Sequence, residues 1–285
     1  MNTIGSFNTI EYIFILKYKG VIFMNRVRIL STSLMITECC TLKCKLCLAY
    51  VPYYDKPRML SFKEAQSVLE SYFQIIDTVD KFSITGGEPL INPYINDIIQ
   101  LIVNYEDQIK KEIILITNGT IEVSESLLET LSQSEKIKVI VNNYGNLSKH
   151  AKSNYMKLKE HNINAILYTE ENRVEWIDCR DHNLKHTTKI ECEKQAGSCA
   201  FFTGKKYIIN RGQLHTCTRS FYRIYKELIP FTDKDYIDLL DEGTSIEQKR
   251  KHLSNLLACR STISCAYCDG RTEQARLYPA AEQIK

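Results

Sequence analysis

The chain has 285 residues, 44% hydrophobic and 25% charged, with a formal net charge of +3. Those values describe an ordinary globular protein and argue against disorder. Its Lys and Arg are scattered, whereas a nucleic-acid surface needs a concentrated basic patch. The 11 cysteines are an odd number in a chain too long and too apolar to need disulfide stapling, which points to metal or redox chemistry in a reducing compartment.

Residues 1–23 carry an apolar run from Tyr12 to Leu16, but Lys17 and Lys19 interrupt it. No small-residue cleavage site follows, and the run is too short to span a bilayer. The expectation is a cytoplasmic protein with neither a membrane nor a nucleic-acid partner. Met24, just before the first clear strand, is a second candidate start.

Arg28 to Thr37 is β-rich and ends at a cysteine loop. Ser61-Phe62-Lys63-Glu64 reads as a capping box that opens an amphipathic helix running to about Val79. Phe82 to Thr85 is a short strand closed by Gly86-Gly87. Tyr94 to Tyr105 has helical apolar spacing. Glu112 to Thr117 is a buried-type strand closed by Asn118-Gly119. Ser124 to Leu131 is helical, Ile137 to Val141 a strand, Leu147 to His161 a helix, and Ile163 to Thr169 a strand.

Five strands separated by four helices predict parallel pairing with right-handed crossovers, hence an α/β fold of barrel type. Chemistry in such folds sits at the carboxyl ends of the strands. The unusual residues fall there: the cysteine loop after strand one, Gly86-Gly87-Glu88-Pro89 after strand two, Thr117-Asn118-Gly119 after strand three, and Asn142-Asn143 after strand four. From about Arg173 the alternation stops. The remainder, rich in cysteine from Cys192 onward, reads as a small domain organised by metal rather than by a large core. The expected division is an N-terminal extension over 1–27, a barrel over 28–175 and a cysteine-rich domain over 176–285.

Cys40, Cys44 and Cys47 share one loop directly after a strand. Iron–sulfur clusters take thiolate ligands, and a four-iron cube takes four. Three on one loop leave one iron open to a small molecule with nitrogen and oxygen donors. A zinc site would want a fourth Cys or His nearby, and the loop contains no His.

With Gly86-Gly87-Glu88-Pro89 one strand later, the sequence resembles the radical S-adenosylmethionine (SAM) superfamily. The resemblance implies a partial (β/α) TIM-like barrel, with Cys40, Cys44 and Cys47 holding a [4Fe–4S] cluster whose open iron chelates SAM. It implies that Gly86, Gly87, Glu88 and Pro89 border the methionine end. There glycines admit close backbone approach and a carboxylate can accept from an amine. Thr117, Asn118, Asn142 and Asn143 stand where the family places ribose and carboxylate contacts. Leu46 replaces the aromatic residue that usually precedes the third cysteine, which leaves only apolar contact to adenine. Cys39 reads as a bystander.

Cys199, Cys217 and Cys265-x-x-Cys268 resemble the auxiliary [4Fe–4S] domain of the twitch or SPASM type that follows many radical SAM barrels. Tyr207–Ile209 and Leu214–Thr216 are its expected hairpin strands, turning through Asn210–Gln213. The alternative is a structural zinc on the same four cysteines. Cys192 could replace Cys199; Cys259, six residues before Cys265, could replace one ligand; and Cys179 has no assigned role. The whole arrangement is similar to radical SAM dehydrogenases of aminocyclitols such as 2-deoxy-scyllo-inosamine. The expected activity is therefore oxidation of a hydroxyl carbon in a small polar metabolite, with a flavodoxin or ferredoxin as electron donor. Glu175, Trp176, Asp178, Arg173 and Arg180 cluster after strand five, and Arg173 and Arg180 are the candidate catalytic anchors. The rival readings are a ribosomal-peptide maturase that forms a thioether, crosslink or epimer, and a zinc-binding adaptor without activity.

Overall fold

The structure, a computed structural model, describes residues 26–172 and 175–284. The early apolar run and Arg173 lie outside the described residues. Strand β1 (Arg28–Met35) leads into the cysteine loop, which ends at helix α1 (Phe62–Ile75). Then come β2 (Thr78–Thr85), α2 (Ile95–Val103), β3 (Ile109–Thr117), α3 (Glu125–Leu131), β4 (Ile137–Asn142), α4 (Ala151–Glu160) and β5 (Asn164–Tyr168). The C-terminal part adds α5 (Lys189–Ser198), α6 (Ala200–Thr203), β6 (Lys206–Asn210), β7 (Gln213–His215), α7 (Thr218–Tyr225), β8 (Tyr236–Asp238) and α8 (Ile246–Ala258).

The eight strands of the described residues form one sheet in the order β5-β4-β3-β2-β1-β6-β7-β8. Strands β1 to β6 run parallel, and β7 and β8 are antiparallel. The mixed α/β, parallel-dominated architecture expected from the alternation is present. Phe82, Ser83 and Ile84 are buried in succession, which marks a strand covered on both faces.

The capping box at Ser61 is formed: its side chain accepts from Glu64 N, and Glu64 reaches back to Ser61 N. Buried Ala65, Val68, Leu69, Tyr72 and Phe73 keep the spacing of one helix face. The helix ends at Ile75, short of the expected Val79. Thr78 and Val79 instead open β2, paired with Arg28 and Ile29, because ladder bonds to a buried neighbour outweigh the extra helical turn. The fourth helix also starts later than Leu147. A 3-10 turn over Gly145–Leu147 intervenes, and His150 sits at the helix N-terminus.

The hairpin falls where its turn chemistry places it. Asn210 pairs with Gln213, and the two turn residues have positive φ, 48° at Arg211 and 76° at Gly212, as a two-residue type I′ turn requires. Tyr207, Ile209, Leu214, Ile237, Leu239, Leu253 and Leu256 join the same buried cluster as Ile29, Leu34, Phe82, Ile84 and Leu115. Metal is therefore not the sole organiser of the C-terminal third: much of it shares the main core.

One buried ion pair ties that third to the cysteine loop. Glu38, 2% exposed, accepts from Arg211 Nε at 2.8 Å and from Nη2 at 2.7 Å. Asn210 Nδ2 and Arg58 N complete the shell at 3.1 and 3.0 Å. The Arg211 guanidinium lies 4.1 Å from the Tyr225 ring centroid. At the opposite end of the sheet, Arg28 and Lys111 both pair with buried Asp80.

Removing one partner of a buried pair strands the other charge. Arg211→Ala is therefore expected to cost about 3–5 kcal/mol of unfolding free energy, measured in urea, and adding Glu38→Gln should restore part of it. A single-variant cost below about 0.5 kcal/mol, ordinary for a surface site, would show that the pair binds nothing together. The Arg28 hydrogen bond, with Lys111 beside it, holds the Asp80 carboxyl below the ordinary carboxylate range. The unfolded chain then takes up its proton first as pH falls, so this stability is present above the unfolded value and is lost on acidification. Asp80→Asn should flatten the acid limb of a melting-temperature profile taken between about pH 2 and 5.

Candidate functional site

The cysteine loop is built from short turns. Cys47 N donates to Cys44 O at 3.2 Å and Tyr50 N to Cys47 O at 2.9 Å, so Cys44 and Cys47 come from consecutive turns. Cys44 is buried with Leu42 and Ala281, and Cys40, Cys47, Tyr144 and Trp176 pack against that cluster. The Cys40 and Cys44 sulfurs accept N–H donors. Leu42 N and Asn118 Nδ2 reach Cys40 Sγ at 3.4 and 3.5 Å, and Gln283 Nε2 reaches Cys44 Sγ at 3.3 Å. Burial pushes the Cys40 thiol up to about 11 and the Cys44 thiol up to about 12, and raises Cys47 as well. Three thiols held neutral by desolvation, with donors aimed at their sulfurs, suit a cationic iron centre that supplies the charge water cannot.

The exit of β2 seals one side of this loop. Gly87 N donates to Thr37 O at 2.8 Å and Glu88 N to Cys39 O at 2.9 Å. A Cβ on Gly87 would collide with the Cys39 carbonyl, and one on Gly86 with the Thr37 carbonyl. The glycines are thus needed for backbone contact with the cysteine loop itself. Cys39 contributes its carbonyl to that contact, while its N–H donates to Thr37 Oγ1.

Glu88 is fully buried, and burial lifts its carboxyl to about 6. Asn118 N, Thr117 Oγ1 and Leu90 N donate to it at 2.7, 2.8 and 3.2 Å. Its visible role is to tie the exit of β2 to the exit of β3. Pro89 opens the 3-10 turn that follows. Asn118 Nδ2 also reaches Thr41 Oγ1 at 3.1 Å. Asn142 Nδ2 donates to Thr117 O at 3.4 Å, and the Asn143 side chain caps the next turn at Gly145 N. Of the expected residues, Gly87 and Asn118 reach Cys40 directly, Glu88 and Thr117 are bonded to each other and Glu88 to Asn118 N, and Asn142 joins them through Thr117 O. Leu46, within the loop, is buried.

Several supports carried no sequence signal. Ser148 Oγ donates to the carbonyls of Asn118 and Asn142 and accepts from Tyr144 N. The C-terminal segment folds back along the cysteine loop: Lys45 N donates to Glu282 O at 2.7 Å and Ile284 N to Lys43 O at 2.8 Å. Tyr144 and Trp176 meet edge-on, with centroids 6.1 Å apart, beside the thiols. Trp176 pairs with Tyr278 through backbone bonds and is an apolar wall rather than a polar anchor. Arg180 is exposed and forked onto Asp178 at 2.9 and 2.6 Å, at the loop's outer rim near Tyr53. The Glu175 carbonyl accepts from Arg271.

A second thiol group lies in a separate cavity. Cys199, Cys217, Cys265 and Cys268 line it together with Gln195, Phe201, Arg219 and Gly270. Gly270 N donates to Cys268 Sγ at 3.2 Å and Arg271 N to Cys199 Sγ at 3.4 Å. Gln195 Nε2 is buried without a hydrogen-bond partner, and a Cβ on Gly270 would strike it. Four sulfurs among unpartnered or sulfur-directed donors fit an anionic iron–sulfur group. Cys192 and Cys259 do not line this cavity: Cys192 faces His186 O and Cys259 packs on the main core. Among the described residues no three His, Cys, Asp or Glu side chains converge on the position of a single metal ion. No described helix is long and apolar enough to cross a membrane.

A family model described as the radical SAM superfamily matches residues 34–178, half of the chain. GTP 3′,8-cyclase of Campylobacter jejuni subsp. doylei is 31% identical over 86 residues, 30% of this chain and 26% of that protein. GTP 3′,8-cyclase of Crocosphaera subtropica is 32% identical over 114 residues, 39% of this chain and 32% of that protein. The chain thus spans only about a quarter to a third of these relatives. BtrN, solved in complex with AdoMet and 2-DOIA, superposes with a TM-score of 0.59 at 13% identity, covering 88% of this chain and 98% of BtrN. Native anSMEcpe with bound AdoMet gives a TM-score of 0.50 at 14% identity over 84% of this chain and 82% of that one. These likenesses are of fold, and they agree with the family match. This chain belongs to the radical SAM superfamily, whose cofactors are a [4Fe–4S] cluster and SAM.

Proposed function

We propose that this radical SAM enzyme is an oxidoreductase that converts a hydroxyl-bearing carbon of an aminocyclitol, sugar or similar polar metabolite to a ketone. The observation that carries this reading is the second cavity. Cys199, Cys217, Cys265 and Cys268 meet in one place, surrounded by hydrogen-bond donors. A four-thiolate cluster has no open iron and serves to carry an electron. An enzyme that only rearranges its substrate has no need of such an acceptor. The fold likeness to BtrN, whose structure includes AdoMet and 2-DOIA, supports the substrate class.

In this reading residues 28–175 form the catalytic barrel and 176–285 the twitch-type auxiliary domain. Cys40, Cys44 and Cys47 hold the first cluster, and Leu46, Gly86 to Pro89, Thr117, Asn118, Asn142 and Asn143 border SAM. When bound, the reduced cluster and SAM supply a 5′-deoxyadenosyl radical that takes a hydrogen atom from the substrate carbon. Glu88 keeps the exits of β2 and β3 in register, and Asn118 spans Cys40 and Thr41. Leu42, Ala281, Tyr144 and Trp176 pack an apolar surround on the Cys44 side of the loop. A flavodoxin or ferredoxin supplies the priming electron.

Anaerobic reconstitution with iron and sulfide should give two clusters per chain, about eight irons, and form 5′-deoxyadenosine from SAM. Cys47→Ala should remove about half the iron and abolish SAM cleavage. Iron loss without loss of cleavage would refute the loop assignment. Cys265→Ala should still cleave SAM but release little ketone, the signature of a missing acceptor. Candidate aminocyclitols deuterated at the hydroxyl carbon should pass their label into 5′-deoxyadenosine. Transfer from a peptide instead would establish the maturase reading, and zinc in place of iron would establish the adaptor.

A further inference from the structure

Arg219, on α7 two residues after Cys217, is 4% exposed. Its Nη1 donates to Cys179 Sγ at 3.1 Å, and its Nη2 stands 3.9 Å from Cys199 Sγ. The guanidinium rests 4.9 Å from the Phe201 ring centroid. No salt bridge to it is formed among the described residues. One turn later on the same helix, buried Arg223 is handled quite differently. It spends its donors on Ser264 O and Oγ, His182 Nδ1 and Asp181 O. Arg223 is locked by oxygen and nitrogen acceptors. Arg219 faces sulfur.

A guanidinium does not shed its proton in a protein. Buried without an anion, it is heavily penalised. The atoms around it that can carry negative charge are sulfurs: Cys179 beside it and the cavity's thiols Cys199, Cys217 and Cys268. Four thiolates around a four-iron cube have a net negative charge that grows by one when the cube accepts an electron. A fixed cation next to the sulfurs therefore favours the reduced form more than the oxidised one. Charge near a cluster and hydrogen bonds to its sulfurs are the levers that set its potential.

We propose that Arg219 is the built-in counter-cation of an auxiliary cluster on Cys199, Cys217, Cys265 and Cys268, and that it raises that cluster's reduction potential so that it accepts the substrate's electron. The inference rests on the auxiliary-cluster reading above. The balance is simple: the carbon radical bearing the hydroxyl gives one electron to the cluster and its hydroxyl proton to water, and a ketone remains. Cys179, not a liner of the cavity, then has a role as well. Hydrogen-bonded to Cys268 itself, it accepts from Nη1 while Nη2 points at Cys199.

The test uses the full chain with Cys40, Cys44 and Cys47 all changed to Ala, so that only the second site can hold iron. Iron content is measured, and the midpoint potential is read by EPR-monitored titration, with Arg219 intact and in R219K and R219Q. R219Q is expected to keep its iron while its midpoint falls by at least about 59 mV, a tenfold change in a one-electron equilibrium. R219K, which keeps the charge but loses the fork, should fall between. Retained iron with an unchanged midpoint in R219Q overturns the role of Arg219 and leaves the auxiliary cluster standing. No iron in the Arg219-intact chain overturns both. If R219Q alone loses iron, R219K decides, and an unchanged midpoint there also overturns the assignment.

Discussion

The contact on which the rest depends is between two backbones. The Glu88 N–H reaches the Cys39 carbonyl, and Gly87 has no side chain to keep the strands' exits apart. A loop of buried thiols has few ways to hold a shape, since desolvation and mutual repulsion oppose their ionisation and their side chains are short. Here β2 delivers a rigid edge against the loop, and Glu88 passes that rigidity to β3 through Thr117 and Asn118. Ser148 continues it toward the exit of β4. The geometry of the first thiol group is thus fixed by neighbours along the sheet edge more than by its own turns.

The second thiol group depends on the first part of the chain in a similar way. Its hairpin is strand-paired to β1, and Arg211 at the hairpin tip locks onto Glu38, two residues before Cys40. One ion pair therefore joins the segments that carry both cysteine sets. Tyr50, three residues after Cys47, adds a second link by donating to the carbonyl of Cys179. An electron path between substrate and acceptor requires a fixed separation, and these two links are the kind of short, buried restraints that keep one.

Much of this was legible in the sequence because it is local. The capping box at Ser61, the alternation of strands and helices, and the tight turn at Arg211-Gly212 each depend on residues a few positions apart. The cysteine spacings also carried their own meaning. What the sequence did not announce is held by long-range partners. Glu88 reads from its flanking glycines as a ligand-facing acid, yet its oxygens are taken up by residues about thirty positions on. Arg219 looks like one polar residue among several on α7, and only packing reveals that no carboxylate among the described residues pairs with it. The end of α1 falls at Ile75, short of the expected Val79, because β-branched Thr78 and Val79 favour a strand and pair with β1.

The C-terminal segment that lies along Lys43 to Lys45 has a consequence for biogenesis. Those partners are separated by some 240 residues, so a ribosome adding about 5–20 residues per second leaves the three thiols without this brace for roughly 10–50 s. During that interval the loop has its glycine edge but lacks the Gln283 donor to Cys44 and the Ala281 cover. Cluster delivery to the emerging chain would meet an unfinished socket. The order of synthesis thus favours loading once residues 281–284 have folded back onto the loop.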